Sequence, residues 1–425
     1  MKKLLLKGGE VVKPTENKRE KADVLIVDEK IAEIGTDLEV VDAEVVDLAG
    51  KVISPGLIDI HVHLREPGFE HKETIKTGTE AAAKGGFTAV AAMPNTDPII
   101  DNQSLVKSVL AKAEQEAVVE VYQIGAITKR SQGEELAEIG LMQEEGIVAI
   151  SDDGNSVMNA EIMRLALKYA QDFDLPVISH CEDENLAGEG VVNEGYYSTI
   201  TGLTPIPSSS EEVMVARDII LAEELGTKVH IAHISTAGSV ELVRQAKIRG
   251  VDVSCEVAPH HFALTDELIT SFDTNTKVNP PLRRAADVAA IKEGLVDGTI
   301  DIIATDHAPH TIEEKRVEYD YAPFGISGIE TALAVVLTEL VEPGLLSLEE
   351  ALAKLTINPA QRLSLAGGSL KVGNKANLTV IDLEQEWVVR PEEFLSKGRN
   401  TPFAQSDLKG KAVMTIVGGK IVYRD

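Results

Sequence analysis

Histidines two residues apart on an extended strand point the same way, because side chains alternate between its two faces. The segment Asp59-Ile60-His61-Val62-His63-Leu64-Arg65 holds such a pair. Two imidazoles so placed can share one metal ion, and Arg65, next on that face, offers a planar fork for a carboxylate. Other segments end in ionisable groups: Ser151-Asp152-Asp153-Gly154, Ser179-His180-Cys181, His230-Ile231-Ala232-His233-Ile234-Ser235 and Ala304-Thr305-Asp306-His307-Ala308-Pro309-His310. His230 and His233 differ by three, so they should face opposite sides of a strand and only one can point inward; His233, nearer the segment's end, is the candidate. His61, His63, His180, His233 and two carboxylates suit a pair of borderline-soft divalent ions, with Zn²⁺ the best fit. Such a pair needs bridging anions, one a carboxylate and one a hydroxide, and the hydroxide would be the nucleophile. His71 reads as a surface residue and His230 and His307 as packing away from the metals. His260 and His261 read as rim residues without a direct role.

Residues this far apart in sequence meet only if a scaffold gathers them. Apolar, strand-like runs occur at Leu57–Leu64, Phe87–Pro94, Val118–Ile127, Ile147–Asp153, Leu175–Cys181, Lys228–Ser235, Asp252–Ala258 and Ile300–Asp306. Between them lie stretches with apolar residues at helical spacing, such as Glu73–Lys84, Asn102–Glu116, Ala160–Asp172 and Glu211–Leu225. This alternation predicts an α/β fold, a (β/α)₈ TIM-like barrel, whose catalytic groups sit at the C-terminal ends of its strands. A doubly wound open sheet would also alternate in this way. Short strands crowd both chain ends, at Leu4–Lys7, Val24–Val27 and Val45–Leu48, and at Leu378–Ile381, Trp387–Val389, Val413–Val417 and Lys420–Tyr423. Neither end can bury a core alone, so we expect residues 1–54 and 366–425 to form one small β-sandwich domain around a barrel spanning 55–365. The polar stretch Thr311–Pro323 is expected to be a mobile loop over the barrel mouth.

The chain has 425 residues and a formal net charge of −28. A surface so acidic repels phosphates, which excludes nucleic acid and anionic membrane as partners. Two cysteines, Cys181 and Cys255, are too few for a disulfide scaffold. The three leucines after Lys3 are too short a run for a signal peptide and no segment could span a membrane, so a cytoplasmic protein is expected.

Asp59-Ile60-His61-Val62-His63-Leu64-Arg65-Glu66-Pro67-Gly68 resembles the signature of bacterial dihydroorotases of the amidohydrolase superfamily. Met93-Pro94-Asn95-Thr96, Val278-Asn279-Pro280-Pro281-Leu282-Arg283 and the segment Ala304 to His310 resemble its other motifs, over essentially the whole chain. The resemblance implies two zinc ions per subunit, one held by His61, His63 and Asp306, the other by His180 and His233. Asp153 matches the bridging aspartate of the long bacterial class, where relatives use a carboxylated lysine; Asp152 would face the other way. Asp306 would also be the general acid/base. Arg65 and Asn95, helped by His310 and bordered by His63, would hold a substrate carboxylate. Asn279 and the backbone at Phe324-Gly325 would hold the ring amide. The implied reaction is the reversible cyclisation of N-carbamoyl-L-aspartate to L-dihydroorotate in pyrimidine synthesis, by a homodimer that could pair with aspartate carbamoyltransferase. Competing readings are a hydantoinase or allantoinase, whose neutral rings do not require Arg65, and an inactive scaffold for the carbamoyltransferase.

Overall fold

In a computed structural model, which describes residues 2–425, each of the eight apolar runs contains a strand. These are β1 (Leu57–Val62), β2 (Phe87–Ala92), β3 (Glu120–Gly125), β4 (Ala149–Ile150), β5 (Val177–Ser179), β6 (Val229–Ile231), β7 (Val253–Val257) and β8 (Ile302–Ile303). They pair in parallel in chain order. The sheet closes just past β8, where His307 bridges Val62 and its carbonyl accepts from the His63 N–H at 2.9 Å. The fold is therefore a (β/α)₈ barrel rather than an open sheet.

Side-chain alternation sorts the strands into two layers. Ile58, Ile60, Ala89, Ala91, Ile124 and Ile178 fill the interior with Ala360 from the helix Ile357–Arg362 and Leu363 just after it. Leu57, Phe87, Val90, Val177 and Val257 face outward into the shell shared with the helices. Those helices start where short polar side chains cap them: Thr74 before Ile75–Lys84, Asn102 before Gln103–Glu116 and Asn159 before Ala160–Gln171. Among the described residues no helix is long and apolar enough to cross a membrane.

Strands from both chain ends join one further eight-stranded sheet, in which Val52–Pro55 pairs antiparallel with Leu378–Ile381. One face of this sheet buries Leu6, Val24, Ile53, Val380 and Met414 in a core of its own. The other face presses Val12, Val52, Ile381 and Ala412 onto the barrel shell.

The stretch Thr311–Pro323 is not a free flap. Thr311 caps a single helical turn, Ile312–Lys315, and Tyr319 is buried. The Lys315 ammonium donates to the carbonyls of Thr274, Lys277 and Pro323 at 3.1, 3.2 and 2.7 Å. A lysine satisfied by main-chain oxygens reads in sequence like any surface lysine, which is why the anchoring was not legible.

At the closing seam Asp59 is fully buried. It accepts from the His61 N–H at 3.2 Å, from the Thr305 N–H at 3.1 Å and from the Thr305 hydroxyl. Burial pushes its carboxyl up to about 6, against the pull of the Thr305 bonds. Thr305→Val would leave a carboxylate oxygen bare in a sealed interior and should destabilise the fold by about 1–3 kcal/mol, read as a lowered denaturation midpoint. An unchanged midpoint would show that the seam does not depend on this contact.

Candidate metal centre and active site

Asp153 lies just past β4, where its carboxylate is ringed by imidazoles. Its Oδ1 is 3.4 Å from His61 Nε2, 3.6 Å from His180 Nδ1 and 3.4 Å from His233 Nε2. Its Oδ2 is 3.5 Å from His63 Nε2. Across the same space Asp306 Oδ1 is 3.1 Å from His63 Nε2 and 3.5 Å from His61 Nε2. Every one of these residues is buried. The geometry thus brings together all six ligands expected from the sequence.

A divalent cation fits these donors. His61 Nε2 and Asp153 Oδ1 face each other, fully buried, and neither has a hydrogen-bond partner. An orphaned pair of this kind is rare in a protein interior unless something else satisfies it. Donors around a tetrahedral zinc, bonded at about 2.0–2.2 Å, lie about 3.4 Å apart, close to the spacings found. Two overlapping sets among the described residues have their ligand atoms within 4.8 Å of one another, His61-Asp153-His233 and His61-His63-Asp306. Burial disfavours charge on His61, but the Asp153 and Glu256 carboxylates outweigh it and hold its pKa well above the usual range. Burial likewise opposes charge on Asp153, yet His61, His180 and His233 hold its pKa well below that of an ordinary carboxylate.

Asp152 points elsewhere, as strand parity requires. It accepts from the Ile127 N–H at 2.8 Å, the Thr128 N–H at 3.1 Å and the Thr128 hydroxyl. The His230 expectation fails in part. Because β6 ends at Ile231 and His233 takes φ 29°, strict alternation stops, and both His230 and His233 point into the barrel. His230 is no ligand candidate; it bonds Glu256 and Ser254 beneath the centre. His71 is exposed, and His307 turns towards Glu73 and Ser396. His260 and His261 are both buried, and His261 Nε2 donates to the Pro280 carbonyl at 2.9 Å.

The ringed carboxylate opens into a cleft of about 160 Å³ lined by His63, Arg65, Asn95, Asp153, His180, His233, Asn279, Asp306, Phe324 and Gly325. A family model described as dihydro-orotase-like matches residues 50–239, and one described as an amidohydrolase family matches residues 215–423. The chain is 60% identical over 423 residues to a dihydroorotase of Pelotomaculum thermopropionicum, covering 100% of this chain and 99% of that one. It is 53% identical over 422 residues to a dihydroorotase of Syntrophotalea carbinolica, covering 99% of each. The chain belongs to the dihydroorotase family. Among solved structures, an L-hydantoinase from Arthrobacter aurescens superposes with a TM-score of 0.90 at 26% identity, covering 100% of this chain and 96% of that one.

In this member of the dihydroorotase family the Arg65 Nε donates to the Pro309 carbonyl at 3.2 Å, which aims the guanidinium into the cleft. Burial lowers its pKa to about 10 against the pull of Asp306 and Asp153, so it stays charged at neutral pH. His310 Nε2 donates to the Phe324 carbonyl at 2.8 Å. Burial, then Arg65, pushes the His310 imidazole down to about 3, so it stays neutral. Asn95 holds His63 Nδ1 at 2.8 Å and donates to the Asp153 carbonyl at 3.3 Å, orienting a ligand as well as lining the cleft. Asn279 Oδ1 is buried without a partner. At Gly325, with φ 139°, a Cβ would come within 2.8 Å of the Ala308 carbonyl, so only glycine fits that wall.

Sequence reading missed Asp59 and Glu256, and the only signal available was a charge inside an otherwise apolar strand. Asp153→Asn should lose bound metal while the metal-free protein melts no lower than wild type. Asp152→Ala should keep its metal but lose about 1–3 kcal/mol of stability, because buried Ile127 and Thr128 donors are left open. Metal analysis beside thermal melts reads both, and a reversed pattern would exchange the two roles.

Proposed function

We propose that the chain is a dihydroorotase, interconverting N-carbamoyl-L-aspartate and L-dihydroorotate, and that it works with two zinc ions. The observation that carries this reading is the Asp153 carboxylate facing four imidazoles, in one cleft with the Arg65 guanidinium. His61, His63 and Asp306 would hold one ion, His180 and His233 the other, with Asp153 between them. Bound there, the pair would supply Lewis acidity and a water acidified enough to attack an amide at neutral pH.

The chain's own residues orient the substrate and move the proton. Arg65 and Asn95, with His310, take the ring carboxylate. Asn279 and the main chain at Phe324-Gly325 hold the ring amide, so that its carbonyl faces the metal-ligand cluster. Asp306, beside His63 and at the edge of the cleft, accepts the proton lost by the attacking water and delivers it to the ring nitrogen as the amide bond breaks. In cyclisation the proton runs the same route in reverse.

Hydantoinases share the scaffold, and the charge of the substrate separates the readings. A neutral ring offers the Arg65 fork no carboxylate, whereas dihydroorotate brings one. Dihydroorotate should turn over and dihydrouracil should not; preference for the uncharged ring would overturn the assignment. Arg65→Met should raise KM for dihydroorotate about 10- to 100-fold, the worth of a charge-assisted fork. Asp306→Ala should cut kcat by at least about 100-fold in a folded protein. Near-normal kcat in that variant would remove its proton-transfer role.

A further inference from the structure

Most interior positions of the barrel are isoleucine or alanine, but β6 and β7 break the pattern with His230, Ser254 and Glu256. Glu256 is only 1% exposed. Its Oε1 lies 2.5 Å from His61 Nδ1 and its Oε2 3.1 Å from His230 Nε2, while His230 Nδ1 lies 2.7 Å from Ser254 Oγ. Among the described residues no lysine or arginine forms an ion pair with it.

These contacts fix where the protons sit. An ionised carboxylate only accepts, so both nitrogens facing Glu256 must carry hydrogens. His230 then donates through Nε2 and takes the Ser254 hydroxyl proton on Nδ1. His61 donates through Nδ1, so in the neutral ring that a bound metal requires, Nε2 is the free lone pair. That atom has no hydrogen-bond partner and faces Asp153 at 3.4 Å and Asp306 at 3.5 Å. His61 is also the residue common to both candidate ligand sets. His63, by contrast, is held at Nδ1 by the neutral amide of Asn95.

We propose that Glu256 is the positioning residue of the metal centre. It locks the tautomer and ring angle of His61 and raises the ring's basicity, and Ser254 and His230 hold Glu256 in place from below. The inference rests on the two-metal reading of the site. A sealed carboxylate with no lysine or arginine beside it is costly on its own. Its charge is balanced when a cation sits on the far side of the His61 ring, an arrangement in which the partner of a ligating histidine tunes affinity.

The test measures zinc affinity of the full-length protein by competition with a chelator, for wild type, Glu256→Gln and Glu256→Asp. Thermal melts of the metal-free forms and absorption spectra of the cobalt-substituted forms run alongside. Glu256→Gln keeps the shape and removes the charge. Its dissociation constant for zinc should rise about 10- to 100-fold and its cobalt spectrum should shift, with a metal-free melting temperature no lower than wild type. Glu256→Asp keeps the charge but withdraws it from the ring; it should also weaken zinc, and it carries the test if the glutamine variant fails to fold. Wild-type zinc affinity in either folded variant would overturn the inference. A wild-type protein that binds no zinc would instead overturn the metal-centre reading itself.

Discussion

Concentrated negative charge, sealed at the end of a closed barrel, is the constraint on which the rest of the structure depends. Asp153, Asp306 and Glu256 are all buried within contact of His61, in a chain whose formal charge is −28. Three carboxylates so close repel one another, and taking each out of water is costly unless positive charge meets it. The groups in contact with Asp153 are imidazoles, which answer the charge by protonation or by holding a cation. Orphaned atoms on His61 and Asp153 favour the second answer.

Holding those groups in place demands strain, and the scaffold confines it. Arg65, His233 and Asp306 take φ of 61°, 29° and 48°, conformations that cost about 1–3 kcal/mol each for a residue with a side chain. The strands beneath His233 and Asp306 are short; β6 has three residues and β8 two. A buried acid pins each ligand-bearing segment. Asp59 holds the main chain of His61 and Thr305, next to Asp306. Asp152 holds Ile127 and Thr128 beside Asp153. Glu211 accepts from the Ser235 and Thr236 N–H groups at 2.9 and 3.2 Å, just past His233. Asp218 takes the Ser179 hydroxyl at 2.6 Å, next to His180. Acids proposed to ligate and acids that clamp are thus different residues.

What was legible in the sequence follows from this division. Barrel strands showed because both faces of a parallel strand are covered, giving continuous apolar runs such as Phe87–Ala92. The His61 and His63 pair followed from two-residue parity, whereas Asp153 came from the family resemblance, parity adding only that Asp152 faces the other way. That same parity misplaced His230, because it holds only while the strand stays extended and the chain leaves that conformation at His233. Glu256 and Asp59 were hidden, since their value depends on partners nearly 200 or more positions away. Lys315 and Tyr319 were hidden for a related reason: a polar stretch can anchor itself through main-chain carbonyls that no side-chain pattern records.

An L-hydantoinase shares this scaffold, and on the proposed reading what separates the chemistries is the corner around Arg65. That corner is cationic within an acidic molecule. Burial, then the nearby Lys277 charge, pushes the Lys315 ammonium down to about 7, and His310 is kept neutral beside Arg65. On the proposed reading an incoming carboxylate meets a full guanidinium charge flanked by a neutral ring. A neutral ring in the same place would leave the guanidinium without the carboxylate fork it could hold, and leaving a buried charged donor open costs more than losing a contact to a neutral one. On that reading, selectivity for a charged ring would follow from what the wrong substrate leaves unsatisfied, not from how well it fits.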